Sequence, residues 1–168
     1  VAGYDTDKSK CQDWPPTSEQ TEIIHICIPY SENFVDIVLK IIESKMSQYV
    51  IIHSTIPPGT TKSIQDKTER KIIFSPTRGV HSRFLKDVIR YTKFYSYYGE
   101  TDLRLRDYFY ERFFPFNRMD NPTTLEIAKL LTDTTYYGLL IAYRKIVDDY
   151  SESLGVNVND VWKFAEEI

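Results

Sequence analysis

The chain has 168 residues, 42% hydrophobic and 27% charged, enough apolar material to bury a core as one domain or one domain with an appendage. Its net charge of −3 provides no basic field for nucleic acid or an anionic membrane, and no apolar run reaches the roughly 18 residues that span a bilayer. No signal peptide is visible; Cys11 and Cys27 lack CxxC spacing and His25, His53 and His81 lack ligand spacing, which argues for two reduced thiols in a cytoplasmic protein without a metal site.

In chain order, residues 1–5 read as a short strand, and a polar, Pro-containing connection follows over 8–20. Residues 22–29 (Glu-Ile-Ile-His-Ile-Cys-Ile-Pro) form an apolar run closed by proline, the pattern of a strand buried on both faces of a parallel sheet. A helical stripe follows over 31–47 through Phe34, Val35, Ile37, Val38, Ile41, Ile42 and Met46. Residues 49–54 are a second buried strand, Pro57-Pro58-Gly59 a turn, Thr60 the start of a short helix, and 71–74 a third buried strand closed by Ser75-Pro76. This alternation is the rhythm of parallel α/β units. Residues 94–98 fit another strand, 102–113 a charged helix and 114–116 an extended segment. The chain carries 13 Tyr and 9 Phe, many between 91 and 116. Glu100, Asp102, Asp107 and Glu111 are interspersed there, so core and interface packing fits better than a platform for stacking bases.

The last third is helical. Asn121-Pro122 is a start signal, Thr123 and Glu126 fit a capping box, and about 34 residues can run as one helix of about 50 Å to a stop at Gly155. Asn157 then caps a final helix through Val161 and Trp162. A boundary is expected near 118–121, giving regions 1–118 and 119–168. The helix over 121–154 is apolar around much of its circumference, which a domain this small does not cover alone, so a homodimer through it is expected.

Ligands in open parallel sheets bind outside the carboxyl ends of the strands, and Tyr30, Ser54, Thr55, Ser75 and Thr77 all follow predicted strand ends. Lys129 and Asp133 share one helix face. The elements above, with His-Ser-Thr-Ile-Pro-Pro-Gly-Thr-Thr (53–61), Ile-Ile-Phe-Ser-Pro-Thr-Arg (72–78) and Glu-Ile-Ala-Lys-Leu-Leu-Thr-Asp (126–133), resemble the nucleotide-sugar dehydrogenases that oxidise UDP-glucose and GDP-mannose at carbon 6. The Ser-Thr-x-Pro-Pro-Gly-Thr element is the more specific part; the lysine-bearing helix is shared with β-hydroxyacid and 6-phosphogluconate dehydrogenases. The resemblance implies an α/β fold: a partial Rossmann-type NAD-binding sheet followed by a long-helix dimerisation region.

It also implies site residues. Asp5 falls where an acidic residue accepts the adenine ribose hydroxyls, and Lys10 where a basic residue approaches the cofactor. Pro29 and Tyr30 occupy the loop beside the cofactor. Thr55 matches a threonine that orders a water or the cofactor, and Lys129 a lysine that steadies developing oxyanion charge, with Asp133 beside it. Thr77 and Arg78 fall in the substrate-binding stretch. The residues alone leave other roles open: Asp5 and Asp7 as turn residues, Thr55 as a strand-end hydroxyl, Lys129 as an ion-pair partner of Asp133 or Glu126, and Arg78 as the partner of a carboxylate or a phosphate.

The sequence departs from the family pattern at five points. Its glycines, at 3, 59, 79, 99, 138 and 155, contain no Gly-x-Gly-x-x-Gly, so the chain reads as starting at the second Rossmann strand, without the pyrophosphate turn. Thr77 stands for the family's glutamate and Asp133 for its asparagine; an ionised aspartate cannot donate to an oxyanion. Cys11 and Cys27 are not in the context of the nucleophilic cysteine, and the segment between Asp7 and Glu22 is short. The expectation is therefore a divergent or truncated relative, impaired or inactive as it stands. The alternatives are a β-hydroxyacid or 6-phosphogluconate type of dehydrogenase, and a non-catalytic dimerising scaffold.

Overall fold

A computed structural model describes residues 2–11, 22–79, 81–113 and 115–165. Most of the polar connection expected over 8–20 lies outside these, as does Phe114. By internal packing the chain divides into two units, Val1–Ile127 and Ala128–Ile168.

The first unit is built on short runs of β-branched and aromatic residues. Five strands form, β1 (Ile23–Ile26), β2 (Tyr49–Ile52), β3 (Lys71–Phe74), β4 (Lys93–Ser96) and β5 (Phe116–Met119), and they lie in the sheet in that same order. β1, β2 and β3 are parallel over full registers, Ile24↔Val50↔Ile72 among them. β4 runs against β3 through the single pair Phe74↔Ser96, and β5 is parallel to β4. A side-chain contact marks the reversal. Lys93, the first residue of β4, donates its ammonium to the carbonyls of Ser75 (2.9 Å) and Pro76 (3.1 Å), so β4 begins at the edge where β3 ends.

That reversal decides which face each helix covers. Right-handed crossovers stepping in one direction keep their helices on one face until the strand direction inverts. Accordingly α1 (Phe34–Glu43) and α2 (Thr60–Gln65) pack with Ile24, Ile26, Val50, Ile52, Ile72 and Phe74, the even-numbered side chains. Helix α4 (Leu103–Arg112), between β4 and β5, packs with the odd-numbered Tyr49, Ile51, Ile73 and Tyr95. The pleat's period of two separates the two cores. Each helix shows only part of its apolar sequence to them: Phe34, Val38 and Ile42 at four-residue spacing on α1, and Leu105 and Phe109 on α4. Asp102 caps α4 by accepting from the N–H groups of Arg104 (3.0 Å) and Leu105 (3.2 Å).

Two elements differ from the sequence reading. Residues 2–5 form no strand; Gly3 makes one isolated bridge. Helix α3 (Phe84–Arg90), preceded by a 3₁₀ turn His81–Arg83, was not anticipated, because only Asp87 on it is buried and no apolar stripe announces it.

The helical stretch from 121 begins as α5 (Pro122–Leu130), passes through a π-helical segment (Leu131–Tyr136) and continues as α6 (Tyr137–Ser153). It stops at Gly155, whose φ of +66° suits glycine; the N–H groups of Gly155 and Val156 bond back to Glu152 and Ser151. Helix α7 (Val158–Ala165) is capped by Asn157, whose side chain accepts the Asn159 N–H at 3.0 Å. Trp162 fixes α7 on α6, edge-on to Tyr143 and donating to Asp148 at 3.2 Å. No helix among the described residues is long and apolar enough to cross a membrane.

Candidate functional site

The carboxyl ends of β1, β2 and β3 form one edge, and the residues beyond them are stitched together there. The His53 N–H donates to Ile26 (2.9 Å), the Ser75 N–H to Ile52 (2.9 Å) and the Thr77 N–H to His53 (3.3 Å), while the Ser54 hydroxyl donates to the carbonyl of Ile28 at 2.5 Å. Pro29, Tyr30 and Thr55 are exposed along this edge, and Thr77 and Arg78 are partly buried. Tyr30 leans on Phe34 with ring centres 5.6 Å apart, and the Arg78 guanidinium lies 5.1 Å from the centre of the Tyr91 ring. Tyr30, Thr55 and Thr77 are thus brought to one edge by the parallel register.

Beyond Thr55 the chain turns at Pro57-Pro58-Gly59, with Gly59 at φ +88°, a conformation only glycine adopts without strain. The turn is pinned by Glu126 of α5. Its fully buried carboxylate accepts the N–H of Gly59 (2.6 Å), the N–H of Thr61 (2.8 Å) and the hydroxyl of Thr61 (2.6 Å). This corrects the capping box: Asn121 is the cap, accepting the Thr123 N–H at 2.9 Å, and Glu126 turns inward instead of back along its own helix. Three donors, one charge-assisted acceptor and no exposure make a strong tie.

In the second unit Lys129 pairs with Asp133; the lysine side chain is only 9% exposed and the aspartate 37%. The pair spans the passage from α5 into the π segment, where the Thr134 hydroxyl donates back to the Leu130 carbonyl. Such π segments occur often at functional positions.

At the N-terminus, Asp5 accepts the N–H of Asp7 at 2.8 Å, and Asp7 caps a 3₁₀ turn (Lys8–Lys10) through the N–H of Ser9 at 3.0 Å. The Ser9 hydroxyl and N–H hold the Asp7 carboxyl below its usual range. Lys10 makes an exposed ion pair with Asp7 at 3.5 Å. The turn role left open for these aspartates is therefore realised.

A polar line on the α4 side of the sheet escaped the sequence reading. The Tyr108 hydroxyl lies 3.1 Å from His25 Nε2, His25 Nδ1 lies 2.9 Å from His53 Nε2, and His53 Nδ1 lies 2.8 Å from the Ser75 carbonyl. The two imidazoles are within 4° of coplanar. Partial desolvation of the exposed His25 ring, then the charges of Lys93 and Arg112, lowers its pKa. Burial, then Lys93 and His25, pushes His53 down to about 3. Partial desolvation raises the pKa of the exposed Cys27 thiol, and the Lys93 charge partly offsets this. Linear distance hid the pairing; the signal was that His25 on β1 and His53, one residue past the end of β2, are both odd-numbered on adjacent parallel segments.

Among the described residues, the helix start that follows the turn beyond Thr55 is that of α2, and the Gly59 and Thr61 N–H groups it offers are taken by Glu126. Asp5 already serves its own turn. The Gly59 and Thr61 N–H groups and Asp5 therefore do not make a pyrophosphate cradle.

No protein-family model matches the chain. It is 27% identical over 167 residues to the UDP-N-acetyl-D-mannosamine dehydrogenase of Methanocaldococcus jannaschii, covering 89% of this chain and 39% of that protein. It is 26% identical over 126 residues to the enzyme of the same name from Methanococcus maripaludis, covering 73% of this chain and 29% of that one. Among solved structures, the UDP-D-ManNAc dehydrogenase of Pyrococcus horikoshii superposes with a TM-score of 0.73 at 21% identity, over 88% of this chain and 40% of the other. GDP-mannose dehydrogenase of Pseudomonas aeruginosa gives 0.66 at 17% identity, over 88% and 39%. The chain thus has the Rossmann-like α/β fold of these proteins and spans 29% to 39% of the length of the curated relatives named here.

Proposed function

We propose that this chain is part of an NAD-dependent dehydrogenase that oxidises an alcohol of a nucleotide sugar. The observation that carries the reading is the match to UDP-N-acetyl-D-mannosamine dehydrogenase over 89% of the chain, a span that must include both the 53–61 turn and the Lys129 helix. In this reading Lys129 steadies negative charge developing on the substrate oxygen. Its burial supports that role, because a fixed charge acts more strongly where water is excluded. Thr55 orders a water or the cofactor, Pro29 and Tyr30 border the cofactor, and Thr77 and Arg78 meet the substrate. Asp5 and Lys10 stand toward the adenosine end. The protein is read as cytoplasmic, and the second unit as joining two copies through the helix over 121–154. The exposure of Leu139, Tyr143, Ile146 and Tyr150, one stripe of α6 at 65%, 54%, 65% and 67%, supports such a dimer.

One observation favours a second reading, a non-catalytic dimerising scaffold: Asp133 already pairs with Lys129 and offsets its charge. NADH titration calorimetry separates the two, using this chain and the product of its full natural reading frame. Binding by the full-frame product, followed by NAD reduction with a UDP- or GDP-sugar, is the expected result. Absence of binding in both forms would move the assignment to the scaffold.

A further inference from the structure

The chain that leaves β3 is held at every polar group from the Ser75 N–H to the Thr77 N–H. The Ser75 N–H donates to the Ile52 carbonyl (2.9 Å) and the Ser75 hydroxyl to the Phe94 carbonyl (2.8 Å). The Ser75 carbonyl accepts from Lys93 Nζ at 2.9 Å and lies 2.8 Å from His53 Nδ1. The Pro76 carbonyl accepts from the same ammonium at 3.1 Å, and the Thr77 N–H donates to His53 at 3.3 Å.

In an extended strand successive carbonyls point to opposite edges. Two of them on one ammonium therefore mark a bend at Ser75–Pro76, with Lys93 inside it. Ser75 and Lys93 are both buried, and Pro76 has no N–H through which a ladder could fix the bend instead. The far end of the segment is fixed as well. Gly79 has φ +135°, and a Cβ on it would lie 2.7 Å from the Cβ of buried Asp87 on α3, so the chain passes there in contact with that side chain. Only Thr77 and Arg78 lie between these two points.

We propose that Lys93 is a positioning residue: by drawing the Ser75 and Pro76 carbonyls onto one ammonium it sets the direction in which Thr77 and Arg78 leave the sheet, and so the fit of a nucleotide sugar against them. The part concerning substrate rests on the dehydrogenase reading; the bend does not. That reading gives Thr77 and Arg78 the holding of the substrate and Lys129 the developing charge, so loss of Lys93 falls on KM and spares kcat.

In the product of the full natural reading frame, Lys93→Met should raise KM for a UDP- or GDP-sugar about ten- to a hundredfold, with kcat and the KM for NAD within about twofold. Gly79→Ala disturbs the same two residues from the other end and should do likewise. Lys71→Met removes the ammonium bound to Asp102 at the opposite end of β3 and should leave KM unchanged. An unchanged KM in Lys93→Met, a fall in kcat alone, or the same rise in Lys71→Met overturns the proposal. Hydrogen exchange by NMR on this chain reads the bend without substrate. In Lys93→Met the Thr77 amide should lose about tenfold or more of its protection relative to the amides of Ile72 and Ile73. An unchanged Thr77, or uniform loss along β3, overturns the positioning role. A full-frame product that reduces no NAD with either sugar nucleotide removes the dehydrogenase reading instead, and exchange at Thr77 then decides the bend alone.

Discussion

The Glu126 carboxylate closes on the backbone N–H of Gly59 at 2.6 Å, across 67 residues of chain. Glu126→Gln keeps the size but turns an amide toward three donors, so at least one buried N–H or O–H loses its partner. A loss of about 1–3 kcal/mol is expected, seen as a lower urea midpoint at unchanged slope. An unchanged midpoint would show that the turn holds without this tie.

Phe109 is fully buried under α4 and stacks on Tyr95 with ring centres 4.0 Å apart. Phe109→Ala should cost about 3–5 kcal/mol, whereas Leu85→Ala, at a position 78% exposed, should stay within about 0.5 kcal/mol. Thermal unfolding of the two variants side by side checks the contrast.

Stability should fall with acid in a particular window. The His53 pKa is depressed to about 3 in the fold, so below the unfolded value of about 6.5 the unfolded chain binds a proton that the folded chain refuses. Stability is then full above that value and declines by about 1.4 kcal/mol per pH unit down to the folded value. Chemical denaturation at pH 7.5, 6.0 and 5.0 measures the slope, and His53→Gln should flatten it.

Asp133 beside Lys129 makes a prediction about chemistry. If the product of the full reading frame is a dehydrogenase, Lys129→Met should lower turnover by about 100-fold or more, and Asp133→Asn should raise it, because an amide can donate to an oxyanion that a carboxylate repels. Turnover lowered by Asp133→Asn would assign the aspartate a positive role in the site.

The exposed stripe on α6 predicts that light scattering at micromolar concentration reports a dimer, and that Ile146→Asp yields a monomer. A wild-type monomer would remove the dimer from the proposed function.

Much of the sheet was legible because parallel strands covered on both faces are nearly continuous apolar runs; β3 at Lys71–Phe74 matched its expected bounds. The stop at Gly155 was legible because a single residue type suits that backbone. What stayed hidden was non-local. Nothing in Thr-Leu-Glu-Ile tells Glu126 to prefer a distant turn to its own helix start. His25 and His53 look unrelated until β1 and β2 are placed side by side. The π segment was invisible because its residues keep helical spacing to within one position.

The single backbone pair between Phe74 and Ser96 leaves a seam inside the sheet. Beyond that pair the two sides are joined by side chain on backbone, Ser75 to the Phe94 carbonyl and Lys93 to the carbonyls of Ser75 and Pro76, and by the packing of Tyr95 and Tyr97 with Ile51 and Ile73. Register across this seam is therefore set by side chains: a one-residue slip of β4 would turn Tyr95 out of the core it shares with Ile51 and Ile73.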